Sequence, residues 1–412
     1  MSEEENNKNQ LSVVKNNYLA KVSNTLSITN KLLSEINNRS SVPSDDFRVA
    51  IPDVNFQRYL SEELGINVNE GTVSYGDVKV VTSVECFSYS IKSLVGIEYF
   101  VSLKNLVCVA NLLNHLDISK NTALTYLNCA HNLLTHLDIS KNTVLTYLNC
   151  VFNQLSHLAI SENIALTFLD CSENQLKDLD VSQNRDLTNL HCYQNKLTHL
   201  DVSRNTNLTD LLCMNNQLTH LNVSESKALT NLHCTNNLIN YLDVTKNTAL
   251  TSLDCSRNQI TYLDVTKSTA LTSLFCSSNQ LTDLNVTKNT ALIWLSCSSN
   301  QLTDLDVAKN MALYSLSCSN NQLRNLDVTK NTALYWLNCD GNQLANLDVS
   351  KNTALYSLDF AENQLTDLDV TNNKDLMLLN YNENQLTDLN VTKIEALIEL
   401  NRQSPLYDGL PF

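Results

Sequence analysis

Residues 250–270 read LTSLDCSRNQITYLDVTKSTA. Two leucines three apart, a cysteine two further on, then an asparagine and an isoleucine give LxxLxCxxNxI, and the second half returns as LxVTxS. The same string recurs along most of the chain. Cysteines stand at 108, 129, 150, 171, 192, 213, 234, 255, 276, 297, 318 and 339, a step of 21 without a break, while Cys86 lies one place out of that register. A fixed period of this length marks one stacked, elongated body rather than the several globular domains that 412 residues would otherwise suggest.

With position 1 set at Leu103, positions 1 and 4 are leucine in all fifteen copies up to Leu397 and Leu400. Position 9 is asparagine fourteen times running, position 14 is always leucine and position 16 is isoleucine or valine. Alternation along a short strand sends positions 4 and 6 inward and leaves 3 and 5 outside. Stacked coils then form a parallel sheet on the concave side. The return arm has no room for a full helix, so it is expected to be extended or 3₁₀, and fifteen strands at ~4.8 Å give a body roughly 70 Å long. The position-9 asparagine falls at the bend after the strand, where its amide can donate and accept among backbone groups that would otherwise be buried without partners.

Position 6 explains the cysteines. After Cys339 that column continues with Phe360 and Tyr381, so it is an apolar packing site in which a free thiol serves as a small hydrophobe. Side chains ~4.8 Å apart on parallel strands are too distant for disulfides, and a straight column cannot wrap four sulfurs around one zinc. Cys108, Cys129, Cys150, Cys171, Cys192, Cys213, Cys234, Cys255, Cys276, Cys297, Cys318 and Cys339 are therefore expected to form a reduced structural ladder, with no metal or cofactor.

Units such as LTYLNCAHNLLTHLDISKNTV (124–144) resemble the cysteine-ladder repeats of internalin J and related bacterial surface proteins. The segment with IPDVNF and VTSVECFSYSIKSLVGIEYFVSLKNL resembles the cap that precedes such arrays. The resemblance implies a leucine-rich-repeat solenoid with a parallel concave sheet and a small helical N-terminal cap. It also implies a secreted or surface module that binds another macromolecule in adhesion or host interaction. The expected organisation is a polar tail over 1–46, partly helical on the spacing of Leu11, Val14, Tyr18 and Val22, a cap over 47–102, the array over 103–400 and a tail over 401–412. Pro52 and Asp53 open the cap helix, Phe56, Leu60 and Leu64 line one face, and Gly65 stops it. Pro405 at a position-9 site is expected to end the repeat.

Charge and termini narrow the function. A net charge of −15 argues against nucleic acid, which requires a basic face, and no apolar run approaches the ~20 residues of a spanning helix, so membrane insertion is not expected. Met1 is followed by Ser2 and three glutamates, from which no ordinary secretory signal is expected. The alternatives to a surface protein are an intracellular scaffold and an effector exported by another route. No phosphate loop, zinc motif or nucleophile elbow occurs, and an array offers columns rather than a convergent pocket, so the protein is not expected to be an enzyme.

Function is then sought at the outward positions. Position 3 carries Tyr126, Tyr147 and Phe168 in successive coils, with Phe152 and Tyr193 at nearby strand ends. A second group has Trp294 and Trp336 at position 3 and Tyr314, Tyr335 and Tyr356 at position 2. Exposed aromatics on a rigid concave surface suit a protein ligand, with a glycan as the alternative, whereas cross-strand stacking would only stiffen the sheet. The interleaved acids, Asp170, Glu173, Asp254, Asp359 and Glu362, favour a ligand with some basic character. Position 13 carries His115, His136, His157, His199 and His220 and then turns mainly to aspartate; a solvated rim is the simplest reading, against metal binding or pH sensing. Aspartate at position 15 and Lys or Arg at position 18 read as a convex charge lattice that keeps a monomer soluble.

Overall fold

The computed structural model describes residues 42–386 and the backbone of the strand Asp388–Leu389. The expected helix in the N-terminal tail, the coil of Leu397 and Leu400, Pro405 and the 401–412 tail lie outside the described residues.

The cap begins with an antiparallel pair, β1 (Arg48–Ala50) and β2 (Thr72–Ser74). Between them α1 (Val54–Glu62) starts where the sequence placed it: Asp53 Oδ1 accepts the backbone N–H groups of Asn55 and Phe56 at 2.9 and 3.0 Å, satisfying two of the donors a helix start leaves open. Its other oxygen takes the Lys92 and Ser93 N–H groups, tying the helix to the segment that leads into the array. Phe56 and Leu60 are fully buried, and Gly65 turns at φ 64°, a conformation that carries no side-chain penalty at glycine. A short helix α2 (Tyr75–Val78) follows, then β3 (Ser83–Glu85).

β3 is already the first strand of the main sheet, which contains fifteen described strands in sequence order. It continues through β4 (Asn105–Val107) to β16 (Ser357–Asp359) and ends with the strand Leu378–Asn380, every pair parallel and in step. Ser83, Val84 and Glu85 face Asn105, Leu106 and Val107, so Cys86 lies beside Cys108 despite the 22-residue step. Cys86 is thus the head of the ladder and not outside it, the extra residue being absorbed in the loop before Leu103. Each strand of this sheet is three residues long, and its central residue, Val84 in β3 and leucine in the others, is buried. In one coil Leu250, Leu253, Cys255, Ile260, Leu263 and Val265 are all buried, the six inward positions the period predicts. All thirteen thiols are free and buried, and Phe360 continues their column with no exposed surface.

Two polar columns close the described coils, asparagine at position 9 and asparagine or, twice, serine at position 19. At position 9, Asn132 Nδ2 donates to the carbonyls of Cys108, Cys129 and Ala130 while its Oδ1 accepts the Leu113 N–H at 3.0 Å. At position 19, Asn142 Nδ2 donates to Ile118 and Asn121 carbonyls at 3.1 and 2.9 Å. The return arm is extended and then makes two consecutive turns, Asn121 N–H to Ile118 O and Leu124 N–H to Asn121 O, i→i+3 bonds of the 3₁₀ type. Because the arm is bonded coil to coil at the same 21-residue step as the sheet, both sides advance together and neighbouring coils stay in register around the whole circuit.

Position 15 does more than carry charge. Asp243 Oδ1 accepts the Thr245 N–H at 2.9 Å and the Thr245 hydroxyl at 2.7 Å, and the same bond to the residue two on recurs at Asp117, Asp138, Asp180 and Asp201. These carboxylates shape the turn. Their acidity is increased by that bond, as at Asp117, where the Ser119 N–H lowers the pKa.

Candidate functional site

The concave face is built from positions 3, 5, 7 and 8. Tyr126 and Tyr147 stack at 4.1 Å with planes 6° apart, and Tyr147 and Phe168 at 4.4 Å and 6°. Strand spacing brings the rings to stacking distance without further help, so each covers part of its neighbour and all three are half-buried. Burial, then the neighbouring Tyr126 hydroxyl, pushes the Tyr147 phenol up to about 12.

Phe152 sits at position 8, where the chain turns through a left-handed residue in every coil; its φ is 54°. Non-glycine residues seldom adopt that region, and here the asparagine that follows fixes the turn by bonding three carbonyls around it. The turn throws Phe152 outward, 53% exposed, with His131 stacked on it at 4.8 Å. Tyr193, at position 7, is half-buried beside Asp170 and Glu173; burial and those charges raise its pKa.

The centre of this half is a residue the sequence reading passed over. His191 lies between Asp170 and Asp210 on the neighbouring strands, its Nε2 2.9 Å from Asp210 Oδ2 and its Nδ1 3.8 Å from Asp170 Oδ2. Burial alone would lower the imidazole pKa, but the two carboxylates outweigh it and hold His191 up at about 9, so it is cationic at neutral pH. Burial likewise works against the Asp210 carboxylate, and the bonds from His191, Asn231 and Asn189 more than offset it, leaving its pKa lowered. Phe168 meets the imidazole edge-on at 5.3 Å, which couples the aromatic row to a fixed charge. The signal was present in the sequence: columns 3 and 5, read across adjacent coils, place His191 between two aspartates.

In the C-terminal half, Tyr314, Tyr335 and Tyr356 stack on one another at 5.0 Å with planes 5° and 3° apart. They stand one position before Trp294 and Trp336, which project from second-neighbour strands with Ser315 between them. Trp294 is 41% exposed. The surrounding floor is hydroxyl-rich, with Ser277 and Ser296 hydroxyls 2.7 Å apart and Ser298 and Ser317 likewise. Burial raises the pKa of Asp340 and of Asp359 beside it, and each is raised further by a neighbouring carboxylate.

The thiols are chemically quiet: burial pushes Cys86 and Cys129 up to about 12, far from the thiolate that metal binding or redox exchange needs. Among the described residues no three His, Cys, Asp or Glu side chains are grouped to hold a metal ion, and no helix is long and apolar enough to cross a membrane. The position-13 histidines are all exposed.

No family model matches the chain, and no curated protein matches it. Among solved structures, the functional domain of InlJ from Listeria monocytogenes, which includes a cysteine ladder, aligns with a TM-score of 0.71 at 38% identity over 85% of this chain and 74% of that one. An internalin, InlF, from the same organism aligns at 0.60 and 22% identity over 85% and 94% of the two chains, a likeness of fold. A leucine-rich-repeat protein of Leptospira interrogans aligns at 0.56 and 25% identity over 75% and 78%.

Proposed function

The chain belongs to the cysteine-ladder leucine-rich-repeat family of internalin J type, and from that premise we propose that it is a non-enzymatic module whose concave face binds a protein, at the surface of the producing bacterium or secreted from it, in adhesion or host interaction. The observation that carries the reading is the continuous row Tyr126, Tyr147, Phe168 and His191, an aromatic surface ended by a fixed cation and flanked by carboxylates. Aromatic anchors held rigidly are the groups that dominate protein interfaces. Stacking pre-orders them, so little side-chain entropy is lost on binding.

The test is to screen the chain against protein and glycan arrays beside a variant carrying Tyr126→Ser, Tyr147→Ser and Phe168→Ser. Loss of at least about tenfold in affinity for the best protein ligand is expected, with the circular dichroism of the solenoid retained. Unchanged affinity would remove this row as the site, and selective retention of glycans would replace the protein by a saccharide.

The thirteen unpaired thiols favour a second reading, an intracellular scaffold or an effector exported without the general secretory route, because reducing compartments are where free cysteines abound. Fractionation of the native cells separates the exported forms from the scaffold: protein outside the cell supports the adhesin or the effector, and confinement to the cytoplasm supports the scaffold.

A further inference from the structure

The column at position 13 is not used by the concave face. In chain order it reads His115, His136, His157, Asp178, His199, His220, Tyr241, Tyr262, Asp283, Asp304, Asn325, Asn346, Asp367 and Asp388. All those through Asp367 are exposed, Tyr241 and Tyr262 by 59% and 58%. The column runs along the arm that leaves the sheet, and its coils keep strand-like spacing, since Asp367 and Asp388 face each other as partners in a parallel pair.

Its order is complementary to its own reverse. Counting outward from the midpoint between Tyr241 and Tyr262, His220 answers Asp283, His199 answers Asp304, Asp178 answers Asn325, His157 answers Asn346 and His136 answers Asp367; His115 falls opposite Asp388 by register. Histidine therefore meets a carboxylate or an amide throughout, and no histidine meets a histidine. A surface with this property fits itself about a two-fold axis.

We propose that this rim is an antiparallel homodimer interface, closed by acidification, with a second copy of the chain as its occupant. Tyr241 packs against the partner's Tyr262 and the reverse, giving a central aromatic contact, and His220 and His199 pair with the partner's Asp283 and the partner's Asp304. A protonated imidazole facing a carboxylate makes each of these contacts an ion pair. Two influences oppose closure: charged imidazoles in adjacent coils, such as His199 and His220, repel each other along one rim, and position 15 places Asp117, Asp138 and Asp201 beside His115, His136 and His199. In the same register Asp201 and Asp243 approach the partner's Asp306 and the partner's Asp264. That repulsion keeps the chain monomeric at neutral pH, and protonated histidines offset it. A single-column contact buries little area, so the dimer is weak and reversible.

The full chain is examined by sedimentation velocity at about pH 7.5 and about pH 5.5, at low and high salt. A monomer at the higher pH, and a dimer at the lower pH that dissociates in high salt, is the expected result. His220→Asp weakens the acid dimer about tenfold, since each dimer holds the pair twice, and adding Asp283→His to the same chain restores it by exchanging the two ends of the pair. A monomer at both pH values overturns the proposal. So does association that climbs past two chains, or a dimer that neither loses strength with His220→Asp nor recovers it in the double variant, because both describe unspecific association near the isoelectric point.

Discussion

The two asparagine columns of one coil do different work with the same side chain. Asn279, after the strand, uses its whole amide: Nδ2 donates to the carbonyls of Cys255, Cys276 and Ser277, and Oδ1 accepts the Ile260 N–H at 2.9 Å. Asn289, on the return arm, uses half: Nδ2 donates to Val265 and Ser268 carbonyls, both at 2.9 Å, while its buried Oδ1 has no partner. The difference is written into the repeats. Position 9 is asparagine without exception from Asn111 to Asn384, whereas position 19 admits Ser226 and Ser268, whose hydroxyls donate to the Asn205 and Asn247 carbonyls at 3.2 Å. A site needing both donor and acceptor is satisfied by one residue type, and a site needing only a donor accepts a hydroxyl.

Three substitutions sharpen that contrast, each read by urea denaturation of the full chain. Asn279→Ala should cost most, about 4 kcal/mol, because it orphans the Ile260 N–H together with the carbonyls of the turn. In a solenoid the loss is local, so the transition is expected to split at that coil; a single transition with an unchanged midpoint would show that the turn holds itself. Asn289→Ala should cost about 2 kcal/mol, since two carbonyls lose a donor while an unpaired buried oxygen is also removed. If it equalled Asn279→Ala, the free oxygen would not matter. Asn289→Ser should cost least, about 1 kcal/mol or less, by reproducing the bond of Ser268; a loss as large as that of alanine would mean the hydroxyl cannot reach its carbonyl there.

The fold was legible because each column repeats one physical requirement: leucine at positions 1, 4 and 14, asparagine at 9 and a small apolar group at 6 can be read without coordinates. What escaped was relation between columns. His191 belongs to position 5 and its two aspartates to positions 5 and 3 of adjacent coils, so reading each column alone hid the cluster. The Asp243 turn was visible as an aspartate two residues before a threonine, yet its charge drew attention ahead of its oxygen. Counting residues puts Cys86 outside the series, because a count cannot show that an extra residue lies in a loop. The aromatic rows were found from spacing alone, whereas their stacking depends on ring orientation, which the sequence does not carry.

Every bond of the two asparagine columns ends within its own coil or in the one before it. Copying or deleting one period of the gene would therefore join ends that already fit, with the cap untouched and the junction no different from any other. Length, and with it the distance between the tyrosine row and the tryptophans, is a quantity this architecture lets inheritance vary in whole steps, independently of the chemistry either site presents.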